Sequence, residues 1–198
     1  STYADDVLLE YKIPEHVKLN YVFRLQPEGG SVELESPMHL GPILRDTPLH
    51  VLFEFLVSPP ALADDTVELL NGALKASITV RPTPVPPIRI NLKREVHNNP
   101  SMDPPPSRIL SALSQLTLYR MQERARAAAD QGQYDSASRH LKNLATHLLS
   151  QGEHSLAKTA LFEADNLERM HAWSAGGTKN IKYNTRALLL AGQKEKTK

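Results

Sequence analysis

The chain has no cysteine among its 198 residues. This absence excludes disulfide bonds, thiol nucleophiles and zinc sites built from thiolates. The fold, in turn, has to draw its stability from packing and hydrogen bonds rather than from covalent cross-links.

Aromatic residues and excess charge are also scarce. Aromatics make up 6% of the chain against 40% hydrophobic residues in total, so a mainly aliphatic core is expected. There are 23 Lys and Arg residues against 22 Asp and Glu residues, whereas nucleic-acid-binding domains usually carry a strong basic excess. The longest apolar runs are about as long as Leu188–Ala191, and a helix that crosses a bilayer needs roughly 20 apolar residues. We therefore expect neither a nucleic-acid partner nor a membrane partner.

The first half of the chain alternates between apolar and polar residues, which is typical of half-buried β-strands. Turn residues separate the segments, and a proline-rich corner precedes the last one. For residues 1–97 this pattern predicts an antiparallel, immunoglobulin-like β-sandwich. The predicted strands cover Val7–Ile13, Val17–Leu25, Val32–Leu34, His50–Val57, Thr66–Val80 and Ile88–Leu92.

Two of these segments carry more specific expectations. Strict alternation in Val17–Leu25 places Phe23 on the buried face and Val22 on the solvent face. In Thr66–Val80, the Asn71-Gly72 pair permits a hairpin turn, but the segment can equally be one long strand with a bulge. We favour the single bulged strand.

After residue 97 the pattern changes to helical spacing. Residues 98–106 are rich in proline and predict a linker, and residues 107–191 predict an antiparallel bundle of three to four helices. Gly132 and Gly152 follow the first two apolar stripes, as glycines do at helix ends. The overall class is therefore α+β, with residues 192–198 as a disordered tail. The predicted helices cover Ser107–Asp130, Tyr134–Leu148, a third stripe at Ala157–Leu167, and Thr178–Leu190.

No motif for chemistry is present, so we predict no catalytic, cofactor-binding or metal-binding residue and no enzymatic activity. His140, His147 and His154 recur every seven residues. Seven residues along one helix span roughly 10 Å, too far for two ligands of a single ion. The doublets Asp5-Asp6 and Asp64-Asp65 lack the alternating Asp-x-Asp spacing of calcium loops and are expected to be solvated charges.

Several segments resemble the region that follows the von Willebrand factor type A domain in a group of bacterial proteins. The most specific is Lys179–Arg186, which reads Lys-x-x-x-Tyr-x-Thr-Arg. The resemblance implies a β-rich segment and a helical segment accessory to an A domain, with that domain upstream. The metal-binding motif of an active A domain, Asp-x-Ser-x-Ser, does not occur here. The other similar segments are 17–27, 40–41, 51–57, 118–122, 127–134, 148–153 and 174–186.

The resulting hypothesis is a non-catalytic interaction or scaffold module accessory to a von Willebrand A-type domain, with other proteins as partners. Candidate interaction residues are Trp173, Tyr183 and Arg186, and the default structural role of Trp173 is to plug the end of the bundle. The resemblance also implies that upstream strands complete the sandwich, so that this chain exposes a sheet edge and forms a homodimer through it. The alternative function is an independent adhesion or carbohydrate-binding sandwich. A hydrolase-like sandwich is a third reading, for which no pair of acidic residues stands out.

Overall fold

The computed structural model describes residues 2–58, 65–78, 85–97 and 104–181. The chain divides into two compact units, Ser1–Pro105 and Pro106–Lys198. The described elements of the first unit are strands, and those of the second are helices. The predicted α+β architecture, with a sandwich followed by helices, is confirmed.

The strands form two antiparallel sheets. One sheet has the order β4-β1-β6-β7, and the other has the order β3-β2-β5. Most predicted strands are confirmed, and the bounds of His50–Val57 match the prediction. The strands are β1 (Thr2–Lys12), β2 (Val17–Gln26), β3 (Gly30–Ser31), β4 (Met38–Leu44), β5 (His50–Val57), β6 (Thr66–Ala76) and β7 (Ile88–Glu95).

The segment from Thr66 is a single strand with an irregular register between Glu68 and Leu70. The favoured interpretation, one bulged strand, is therefore confirmed, and the hairpin at Asn71-Gly72 is wrong. β6 ends at Ala76, short of the predicted end at Val80, which lies outside the described residues.

Three details of the β unit differ from the sequence-based prediction. Val22, expected on the solvent face, is fully buried, because the register of β2 on β5 shifts between Leu19 and Tyr21 and reverses the alternation. The strand expected at Val32–Leu34 is not formed: the two-residue β3 ends at Ser31, just before it, and Leu34 is exposed. β4 has no counterpart in the prediction, because Gly41 and Pro42 interrupt its pattern; proline is tolerated there since β4 is an edge strand.

The core of the sandwich lies between the two sheets and is almost entirely aliphatic. The half-buried Phe53 and Phe55 pack against it, with ring centroids 6.2 Å apart. The buried members are Val7, Leu9, Leu19, Val22, Val32, Met38, Leu40 and Leu70.

The second unit contains α1 (Ser107–Asp130), α2 (Tyr134–Ser150) and α3 (His154–Met170). Gly132 and Gly152 have φ angles of 72° and 81°, which allow the tight reversals between these helices. Residues 177–181 are also helical. They overlap the start of the fourth helix predicted over Thr178–Leu190, and the rest of that helix lies outside the described residues.

The helices share one apolar core of leucine and alanine. Its small side chains allow the helices to approach closely, and Ile181 from the 177–181 turn joins it. The core residues are Leu118, Ala125, Ala128, Ala129, Ala137, Leu141, Leu144, Ala145, Leu148, Leu156, Ala157, Ala160, Ala164, Leu167 and Ile181.

Candidate interaction sites

The three residues predicted from sequence can be placed only in part. Trp173 follows α3, is half-buried and packs against the helical core. This packing is compatible with a structural role, and the role of Trp173 as an interaction residue stays a prediction. Tyr183 and Arg186 lie outside the described residues.

A buried carboxylate next to Trp173 was not anticipated. The Glu163 side chain is only 2% exposed. Its Oε2 accepts a hydrogen bond of 2.9 Å from the backbone N–H of Ser174, and its Oε1 accepts one from the Ser174 hydroxyl. Two donors therefore satisfy the buried carboxylate and tie the segment after α3 to the helix. The only signal in the sequence is that Glu163 falls within the apolar stripe of α3, beside Ala160 and Ala164.

Gly177 completes this arrangement. A Cβ atom at Gly177 would lie 2.4–2.5 Å from the carboxylate atoms of Glu163, closer than side chains tolerate. The backbone at the start of the 177–181 helical turn can therefore approach Glu163 only because residue 177 has no side chain. This close approach gives a structural role to the Gly176-Gly177 pair.

An ion pair joins α2 to α3 on the surface. Lys142 Nζ lies 2.6 Å from Glu168 Oε2, and the Ser138 hydroxyl is 3.3 Å from the same oxygen. The hydrogen bond from Lys142 lowers the pKa of Glu168, and the same bond raises the pKa of Lys142. In the β unit, burial raises the pKa of Tyr11, whose hydroxyl donates to the Leu34 carbonyl at 2.8 Å. These shifts arise at points of structural contact between elements.

Each unit has an open polar cleft. In the β unit a cleft of about 420 Å³ is lined by Arg24, His39 and nearby residues. Arg24 donates to the carbonyls of Glu28 and Leu40 at 2.9 and 3.2 Å. In the helical unit a cleft of about 600 Å³ lies where Tyr134 stacks on His171, with centroids 4.8 Å apart.

Exposed apolar side chains form a second kind of candidate site. On α3, Leu161 is 40% and Phe162 is 59% exposed. In the β unit, Leu56 on β5 and Ile88 and Leu92 on β7 are also exposed. Large apolar side chains left in solvent next to one another are typical of surfaces that bind other proteins.

Two further searches concern metals and membranes. Over 2–58, 65–78, 85–97 and 104–181, no three His, Asp or Glu side chains gather in a way that could hold a metal ion. None of the helices described is long and apolar enough to cross a lipid bilayer.

Known proteins resemble this chain in two ways. A family model described as "Sll0103-like, C-terminal alpha-helical domain" matches residues 107–191. No curated protein matches the chain. A solved structure, "von Willebrand factor type A from Catenulispora acidiphila", is similar with a TM-score of 0.62 and 11% sequence identity. The similarity covers 93% of this chain and 46% of that one, so the chain spans less than half of that protein's length.

At 11% identity this likeness shows a shared fold. The chain is thus similar to a helical domain family over residues 107–191 and, over most of its length, to part of a protein named von Willebrand factor type A.

Proposed function

We propose that this chain is a non-catalytic protein-interaction module that acts beside a von Willebrand A-type domain. The choice of partner is motivated by the structural similarity to the von Willebrand factor type A protein of Catenulispora acidiphila. The buried carboxylate of Glu163 is engaged by Ser174 and supports the fold, so no catalytic role is proposed for it.

The observation that carries this proposal is the exposed apolar pair on α3. Phe162 leaves 59% of its surface in solvent while the adjacent Leu161 leaves 40%. Lys158 and Asp165 flank Phe162 on the exposed side of the helix. An aromatic side chain surrounded by polar residues is the usual centre of a protein–protein contact.

A binding titration tests the proposal. A-type domains from the same genome are purified and added to the full chain in an isothermal calorimeter. We expect one of them to bind, and Phe162→Ser to weaken that binding about tenfold, because an aromatic anchor typically contributes more than 1 kcal/mol. Since Phe162 is largely exposed, the variant should fold normally.

The matched control is Asn143→Ser, which changes an exposed residue of α2. It should leave the dissociation constant within about twofold of the wild-type value, as expected for a residue outside the contact. If no A-type domain binds, or if Phe162→Ser binds as tightly as the wild type, the proposal is wrong.

A further inference from the structure

The pair Asn71-Gly72 lies inside β6, although its residue types favour a turn. It is the only place in the sequence where a glycine follows an asparagine. β6 pairs with β1 on one side and with β7 on the other. Asn71 lies opposite Lys12 of β1 and opposite Asn91 of β7. The pair is therefore held in an extended strand that has a neighbour on each side.

An asparagine followed by a glycine has a chemical reactivity of its own. The backbone nitrogen of the glycine attacks the side-chain carbonyl carbon of the asparagine, ammonia leaves, and a five-membered succinimide ring forms. Water then opens the ring to give aspartate or isoaspartate, in which the main chain runs through the former side chain. Glycine favours the attack because no side chain shields its nitrogen and its backbone rotates freely.

The sheet opposes this reaction at Asn71. In an extended strand the side chain stands out from the sheet, whereas the backbone nitrogen of the next residue points within the sheet towards a neighbouring strand. Because β6 has neighbours on both sides, the N–H groups inside it donate to one neighbour or the other. Ring closure requires the backbone of Asn71 to rotate out of the extended conformation. β6 must therefore separate from its neighbours before the ring can close.

Packing explains why residue 72 is a glycine. A Cβ atom at Gly72 would collide with the carbonyl oxygen of Glu10 and would lie 3.1 Å from the Cα of Tyr11. The backbone of β1 can approach β6 this closely only because residue 72 has no side chain. The reactive partner of Asn71 is therefore a requirement of the sheet, while Asn71 itself is exposed.

We propose that Asn71 is a latent site of spontaneous deamidation, which the folded sheet holds inactive and which reacts when β6 leaves the sheet. The side-chain amide of Asn71 and one water molecule are consumed, and ammonia is released. The reaction needs no partner and no cofactor. Deamidation at this position is therefore a chemical record of how often the β unit opens.

The two products differ in their effect on the fold. Isoaspartate adds one methylene group to the main chain between residues 71 and 72. The residues that follow can then no longer pair with both β1 and β7 in the native register. Aspartate leaves the main chain unchanged and places a carboxylate opposite Lys12. We therefore expect isoaspartate, and not aspartate, to prevent the sandwich from forming again.

The test compares the full chain in native buffer with the same chain in 6 M urea, both at pH 8 and 37 °C. Mass spectrometry after proteolysis measures deamidation of the peptide that contains Asn71. We expect the reaction in urea, and a rate at least about tenfold lower in native buffer, because the rate follows the fraction of molecules in which β6 is open.

Two matched variants locate the opening. Leu9→Ala leaves a cavity in the sandwich core beside β6, and it should speed deamidation in native buffer about tenfold or more. Leu144→Ala makes the same change in the helical core, and the rate should stay within about twofold of the wild-type value. In urea all three chains should react equally fast. A Leu9→Ala chain that does not fold should react in native buffer at the urea rate.

Refolding tests the effect of the product. After incubation in urea and dilution into native buffer, the wild type should lose its β-sheet circular dichroism signal in proportion to its isoaspartate content. Asn71→Gln changes an exposed side chain, and its longer amide closes a ring far more slowly, so this variant should refold fully. Asn71→Asp should refold fully as well.

Three results would overturn the proposal. The first is deamidation as fast in native buffer as in urea, and the second is its absence in urea. The third is equal acceleration by Leu9→Ala and Leu144→Ala, which would mean that the opening of β6 does not control the reaction. Full refolding of chains that contain isoaspartate would show that the sheet accommodates the modified main chain and would contradict the expected loss of the fold.

Discussion

A methyl side chain added at Gly177 would collide with the buried carboxylate of Glu163. Glu163 keeps both of its oxygens within α3's buried face by accepting hydrogen bonds from Ser174, and the chain then passes directly over the carboxylate. A glycine at this position is therefore a consequence of packing. It also explains why a charged residue is found within an otherwise apolar helical stripe.

The substitution Gly177→Ala tests this packing. The added Cβ would force Glu163 or the 177–181 turn to shift, and we expect a loss of about 1–3 kcal/mol in the free energy of unfolding. Urea denaturation followed by circular dichroism measures the change. Gly30→Ala is the control, because open space surrounds Gly30 and its unfolding free energy should stay within about 0.5 kcal/mol. Equal stabilities of both variants would contradict the packing described.

Individual side chains were the hardest features to predict from sequence. Strict alternation predicts that Val22 faces solvent. One extra residue in β2 turns the Val22 side chain to the buried face, and no local residue type marks that bulge. Glu163 was overlooked for a different reason. Its partner Ser174 lies outside the helix, so its hydrogen bonds depend on how the chain turns after Met170.

At the level of elements, the helices were predicted better than the strands. The bounds of α1 follow from its apolar spacing, with Pro106 before it and Gly132 after it, all of which are local signals. β4 depends on its long-range pairing with β1, and the glycine and proline inside it hide its pattern. Which strand edges remain open depends on the sheet order, which alternation alone does not determine.

The pairing of α2 with α3 has a pH dependence that can be measured. The pKa of Glu168 is lowered from 4.5 by Lys142, so the ion pair stabilises the fold above this pH, and the stabilisation is lost as the pH falls through the folded-state pKa. We expect the melting temperature of Glu168→Gln to lie below that of the wild type at pH 7. The two temperatures should converge under acidic conditions.

Salt supplies a second check on this ion pair. Both side chains are about half exposed, so 1 M NaCl should shrink the difference in melting temperature at pH 7. Glu123→Gln is the control, because the pair of Glu123 with Arg126 lies within α1 and joins no two helices. A difference that persists unchanged from pH 7 to pH 3 would contradict the role of Glu168.

At the scale of the whole molecule, the described residues form two hydrophobic cores that share no residue. One belongs to the sandwich, and the other belongs to the helices. An independent core is what allows a segment of this size to fold alone. The proline-rich stretch before Ser107 separates the two units in the sequence, as the change of hydrophobic period indicates.

We therefore expect the fragment 106–198 to fold without the β unit. Its circular dichroism spectrum should be helical, and it should unfold in one cooperative transition with urea. Leu144→Ala, at the centre of the helical core, should lower the free energy of unfolding of this fragment by about 2–5 kcal/mol. A fragment without cooperative unfolding would show that the helices depend on the strands.

The irregular register of β2 has a consequence for how substitutions accumulate in this chain. Along a regular strand, positions that tolerate substitution alternate with positions that do not. In β2 this alternation is interrupted at Asn20 and again next to Leu25, where the register shifts. Val22 and Phe23 are consecutive, yet each is sealed from water. A scan of every substitution along β2 would therefore find two neighbouring positions, Val22 and Phe23, that both reject polar residues. Deleting one residue from β2 would move its buried side chains to the solvent face and its exposed side chains to the buried face.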